Sequence, residues 1–160
     1  MKGIILNDCG SLFCKLIKVV VLFILGGCVY VLVEKLFRGY SHISMFLLGG
    51  VDFVLIGMLN ESGKLGVSII AESFVGALII TASELITGYF LNIRLGLGVW
   101  DYSDLPFNFL GQISLYYSLL WIPVSFLAII LDDLLRFVLF GEEIPSYFWK
   151  KKRGRLNFLI

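Results

Sequence analysis

Four apolar stretches, at about residues 16–33, 43–59, 65–93 and 113–131, fill most of this 160-residue chain. A helix needs about 20 mostly apolar residues to cross a hydrocarbon core, so four spans leave only short connections between them. Acidic side chains stand inside or against these stretches: Glu34, Asp52, Glu72 and Glu84. A carboxylate is costly at bilayer depth and must face the interior of a helix bundle, a partner or water. The pattern predicts an all-α, polytopic membrane protein with about four transmembrane helices, forming one domain over residues 1–160 with a basic tail at 132–160.

Composition supports that reading. Hydrophobic residues make up 59% and charged ones 16%, with a mean hydropathy of +0.94, against roughly 45–50% apolar in soluble domains. The formal net charge of +1 conceals a run at Lys150, Lys151, Lys152, Arg153 and Arg155. Next to a membrane span, such a run reads as a topology signal facing anionic lipid and not as a nucleic-acid site. Lys2, Lys15, Lys18, Lys64, Arg136 and the five C-terminal residues make ten positive charges on one side. Lys35, Arg38 and Arg94 make three on the other. Ten against three places both termini in the cytoplasm, with an even number of spans. Residues 134–140 are too few for a fifth span and are expected as an amphipathic interfacial segment.

The run after Lys15 and Lys18 resembles a signal peptide, but it stays apolar through Val33 with no clean small-x-small cleavage site, so a retained helix is expected. Cys9, Cys14 and Cys28 are odd in number and imply no disulfide framework. Ser73, Ala77 and Thr81, spaced by four, should turn a small-residue stripe toward another helix, matched by Gly26, Gly27, Gly49, Gly50 and Gly57.

The residues able to carry chemistry are mostly acids. Glu72 and Glu84 are twelve residues apart on one helix, roughly 120° around and about 18 Å along it, so they form no close pair. Glu34 and Glu84 fall at similar predicted depth and could share a proton or hold a cation. Alternatively, Glu34 is a terminal charge lying at the interface beside Lys35 and Arg38. Asp52, deepest by sequence, requires protonation or a specific partner, and a structural hydrogen bond would serve equally. The outer connection carries Asp101, Tyr102, Asp104, Asn108 and Gln112 around Pro106. Such groups can coordinate a hard cation or orient a polar substrate, or they can cap a helix and satisfy loop backbone. No HExxH, GxSxG or phosphate-binding loop is present, and the single histidine is His42. No enzyme activity, cofactor or defined metal site is expected.

Three segments carry a family resemblance: Gly27-Cys28-Val29-Tyr30 through Glu34, Glu84-Leu85-Ile86-Thr87-Gly88, and Trp100-Asp101-Tyr102-Ser103 with Pro106, Asn108, Gly111 and Gln112. Over about residues 20–136 the chain resembles the ABC-transporter type IV family, the CmpB-like small bacterial membrane proteins. The resemblance implies a multi-pass permease of the bacterial inner membrane. In it, Glu34 matches an acid near the end of the first span, Glu84 an acid before a Thr-Gly turn, and residues 100–103 a WDYS loop. Asp52 matches no motif position. Since the chain has no ATP-binding loop, an ABC role requires a separate ATPase subunit, and one copy of four spans is small enough that a homo-oligomer is expected. The expected function is a membrane transport component with an outward-facing polar site for a cation, proton or small solute, formed by Glu34, Glu84 and the 101–112 region, with Asp52 and Glu72 as secondary candidates. The alternative is a non-transporting scaffold or partner-binding subunit whose acids hold its own helices together.

Overall fold

The computed structural model describes residues 12–61 and 68–143. Four helices dominate: α1 Leu12–Arg38, α2 Ile43–Glu61, α3 Ile69–Gly88 and α4 Leu115–Leu135. Two of these, α1 and α3 with its continuation to Arg94, are long and apolar enough to cross a membrane. Both exceed or shift the predicted spans at their ends, where local capping and packing outweigh hydropathy. Ser68 starts α3, its hydroxyl accepting from the Ala71 amide at 3.4 Å, and Ser114 starts α4 in the same way through Tyr117.

The long third stretch resolves into two windings. Helix α3 ends at Gly88 and continues as a wider π-helical segment, Tyr89–Arg94, a device that often accompanies functional sites. Its expected beginning near Gly66 lies outside the described residues. The connection that follows is not all irregular. Strands β1 (Asn108–Phe109) and β2 (Ile113–Ser114) pair antiparallel in a small hairpin, so the chain is mostly but not wholly helical. Residues 113–114, expected to open the fourth span, belong to this hairpin.

A second correction concerns residues 134–140. They form no separate interfacial segment: α4 runs to Leu135 and passes directly into a π-helical segment, Arg136–Phe140. Arg136 and Phe140 are buried, and Phe140 packs with Leu22 and Phe53. Residues up to Phe140 thus continue the fourth helix and pack on the bundle. A third concerns cysteine. Cys14 is disulfide-bonded, while Cys28 is an exposed free thiol.

The helices join through two kinds of seam. Helices α1 and α2 pack antiparallel by reciprocal placement of rings on glycines: Phe53 lies on Gly26, Phe46 on Gly27, Tyr30 on Gly49 and Phe23 on Gly50. A Cβ on Gly27 would come 2.6 Å from the Phe46 carbonyl oxygen, and one on Gly50 2.7 Å from that of Phe23. Only hydrogen fits where main chains approach this closely. Helix α3 meets α4 and α2 through its predicted small face. Ser73 and Ala77 are buried, Thr81 is half-buried, and Gly76 faces Ser125 and Ile56.

Burial is inverted relative to a water-soluble bundle. Leu78 is 70% exposed and Ile86 60%, yet Glu84, between them on α3, is 2% exposed. Asp52, Glu72, Ser125 and Asp132 are buried as well, while large apolar side chains face outward along all four helices. In water an apolar exterior on this scale would drive association.

Candidate functional site

Glu84 is a buried acid whose partners come from α4 and from the connection before it. The Trp121 indole of α4 donates to its Oε2 at 2.8 Å, and the Tyr102 hydroxyl approaches Oε1 at 3.5 Å, at the limit of a hydrogen bond. Tyr102 stacks on Tyr117 with ring centroids 4.5 Å apart. Burial, and next the nearby Glu84, push the Tyr102 phenol well above its ordinary range, so it acts as a donor and keeps its proton. The connection between α3 and α4 therefore reaches back to Glu84 through Tyr102, beside Val99 and Trp100, which are buried with Met45 and Leu48.

Asp52 on α2 is 5% exposed and faces α3, where the Ser83 hydroxyl lies 3.0 Å from Oδ2. The same hydroxyl is 2.8 Å from the Ile80 carbonyl, and Asp52 Oδ1 has no hydrogen-bond partner. Asp52 lies within electrostatic range of Glu84. Between the three acids stands Tyr30 of α1, within electrostatic reach of Glu84, Glu34, Asp52 and Arg38.

Glu34 is buried at the end of α1 but is not open to a ligand. Arg38, one turn on, donates to Oε1 at 2.7 Å, and the Ser41 hydroxyl donates to Oε2 at 2.5 Å. Arg38 also donates to the Val99 carbonyl at 3.0 Å and to the Tyr40 hydroxyl at 2.9 Å, and so ties α1 to the outer connection. Glu34 thus stands beside Arg38 at the end of α1 and is buried there. An open cleft of 230 Å³ lies alongside, lined by Val31, Lys35, Ser41, His42, Ile43 and Phe46; Glu84 is not part of it.

Most polar groups of the connection are spent on its own folding. Asp101 Oδ1 accepts from the Ser103 amide at 2.8 Å and from its hydroxyl, which draws the Asp101 carboxyl below the ordinary aspartate value of 3.8. Asn108 donates to the Ser103 and Leu105 carbonyls and accepts from the Gly111 amide. Gly111, at φ 68°, sits so close to Ser103 and Asp101 that a Cβ would lie 2.6 Å from the Ser103 hydroxyl. Gln112 accepts from Asn92 at 2.7 Å and donates to the Leu110 carbonyl, while the Trp100 indole donates to the Gln112 carbonyl at 3.0 Å. Asn92, in the π-helical segment, also donates to the Trp100 carbonyl and accepts from the Val99 amide. Gly88 makes room for this clamp, for a Cβ there would meet Gln112 Oε1 at 2.5 Å. Asp104 is exposed and at the surface of the loop.

Glu72 belongs to the other end of the bundle. It lies in the first turn of α3, a favourable place for negative charge, and interacts with Asp133. Nearby, Arg136 pairs with Asp132 at 2.5 Å and approaches Glu142 at 3.6 Å, and Glu142 pairs with Lys18 at 2.5 Å. Among the described residues, no group of three or more His, Cys, Asp or Glu side chains is placed to hold a metal ion.

The structure thus brings Glu84, Tyr102 and Asp52 together, places Glu34 one tyrosine away, and assigns Asp101, Asn108 and Gln112 to the frame. Sequence reasoning did not find Tyr30, Ser83, Trp121 and Asn92 as partners, since each is an ordinary residue until the helices are packed. Arg38 was legible as the i+4 partner of Glu34.

Comparison with curated proteins and with solved structures finds no match in either. Residues 12–149 match the model of the family described as "Putative ABC-transporter type IV". With nearly all of its length matched, including Glu34, Glu84 and the tryptophan loop, the chain belongs to that family.

Proposed function

We propose that this chain is a four-span protein of the bacterial cytoplasmic membrane with both termini in the cytoplasm, and that it serves as a permease-like transport component. Its ligand-handling groups are Glu84 and Asp52 with Tyr30 and Tyr102. The observation that carries this reading is the inverted burial: two acids lie inside helices whose outer faces are apolar. Acids at such depth are expensive and characteristically mark proton or ion pathways. The role is one of binding and translocation without catalysis. The ligand is a cation, a proton or a small solute. The protein would act beside a separate ATPase subunit or as a homo-oligomer.

The test is flux in proteoliposomes. Under an imposed pH gradient, wild-type protein should carry protons or a co-transported solute, and Glu84→Gln, which keeps an acceptor for Trp121, should fold normally and lose that flux. Equal flux from both proteins would remove Glu84 from the mechanism. A reporter fused after Ile160 that reads as external would overturn the orientation.

The scaffold reading is favoured by one observation: Glu34 and the connection are already satisfied by partners within the chain. Under it, Glu84→Gln should lower stability in detergent with no flux to lose. Intact-mass determination after mild-detergent purification separates a chain that copurifies with an ATPase from one that assembles only with itself.

A further inference from the structure

Two neighbouring acids are treated differently by their surroundings. Glu84 accepts from the Trp121 indole at 2.8 Å, and the Tyr102 hydroxyl stands 3.5 Å from its other oxygen. Asp52 has no donor among the described residues that is free to serve it. A serine hydroxyl has one proton, and the Ser83 proton has a shorter route to the Ile80 carbonyl, 2.8 Å, than to Asp52 Oδ2, 3.0 Å. Backbone bonding of this kind, to the carbonyl three or four residues back, is usual for serine inside a helix. The contact to Asp52 then has two acceptors facing each other without a hydrogen, and Oδ1 is a buried oxygen with no hydrogen-bond partner among the described residues. As a carboxylate, Asp52 would bring a full charge among apolar groups with neither oxygen hydrogen-bonded, a cost of several kcal/mol.

We infer that Asp52 is a proton-binding site and holds its proton in the resting protein: the acid hydroxyl donates to Ser83 Oγ, and Ser83 donates onward to the Ile80 carbonyl. This two-step chain of hydrogen bonds clips α2 to α3 and leaves Oδ1 as a neutral carbonyl oxygen, which tolerates burial far better than a charged one. The groups facing Asp52 are Tyr30 from α1 and Glu84 from α3. From α4, Asp132 lies against Gly57, about a turn and a half farther along α2. A proton held on Asp52 deepens the transport reading, on which this inference rests, by naming a proton as the bound species.

The test is infrared spectroscopy of the full chain in lipid bilayers at neutral pH, with aspartate carbonyls labelled by ¹³C. Wild-type protein should show a protonated-carboxyl band that moves with the aspartate label, and Ser83→Ala should shift that band by removing its acceptor. Asp52→Asn should delete it. If no labelled acid band appears, or if one appears that Ser83→Ala leaves in place, the inference is overturned. The wild-type label and the Ser83 variant keep the result decisive even if Asp52→Asn does not fold. A band that behaves as expected in a protein without flux would uphold the proton site and sink the transport reading, so the two fail separately.

Discussion

The seam between α1 and α2 and the seams that α3 makes with α2 and α4 belong to the same bundle, but they are built on opposite terms. The first is steric, with rings on glycines and main chains in near contact. The others are polar, with Asp52 against Ser83 and Glu84 against Trp121. In lipid, apolar faces gain little by meeting each other, so helices associate through close packing or through hydrogen bonds. A protein that assigns one device to each hairpin can hold α1 and α2 rigidly and still keep polar groups where they can exchange a proton or bind a ligand.

The largest effect should come from breaking the steric seam. Gly27→Leu and Gly50→Leu each drive a side chain into a backbone carbonyl that cannot move aside, and each should cost on the order of 3 kcal/mol or prevent folding. Denaturation in detergent measures this, and a stability close to wild type would show that the seam yields easily. Glu84→Ala should come next, at about 2 kcal/mol, because the Trp121 N–H is left buried without an acceptor. Trp121 fluorescence should report the change of environment, and Glu84→Gln should recover most of the loss.

Asp52→Asn should cost less than about 1 kcal/mol, since an amide can donate to Ser83 as the protonated acid does. A loss as large as that of Glu84→Ala would show that Asp52 works as an anion, and the contrast between the two acids would collapse. The smallest effect lies in the connection. Asp101 is exposed and its carboxyl is held below 3.8 by Ser103. A carboxylate depressed in the folded state stabilises the loop above its unfolded value and loses that contribution as pH falls through the folded one. The Ser103 amide resonance should therefore stay constant from neutral pH to about pH 4 and move only below it. Titration at ordinary aspartate values would mean the Asp101 turn does not persist.

Much of the fold can be read from hydropathy alone. The 43–59 stretch became Ile43–Glu61 almost unchanged, and the Ser73, Ala77 stripe faces another helix as its spacing requires. What could not be read were changes of winding at Tyr89 and Arg136, since a π-helical segment has the same composition as an α-helix. The hairpin at 108–114 was hidden for a related reason. Phe107 and Leu110 adopt positive φ of 54° and 56°, a conformation that bulky residues avoid and that no sequence signal announces.

The candidate site divides along the same line. Which carboxylates are costly follows from the sequence, because Asp52 and Glu84 sit in apolar runs whatever the helices do. So does the i+4 pairing of Glu34 with Arg38, a short-range relation along one helix. Which acid neighbours which was decided only by tertiary structure. The placing of Asp52 within electrostatic range of Glu84, and the use of Asp101, Asn108 and Gln112 to build a loop, depend on how far one helix slides and turns against the next. That is set by a few glycines and rings summed over the whole interface, and no local segment contains it.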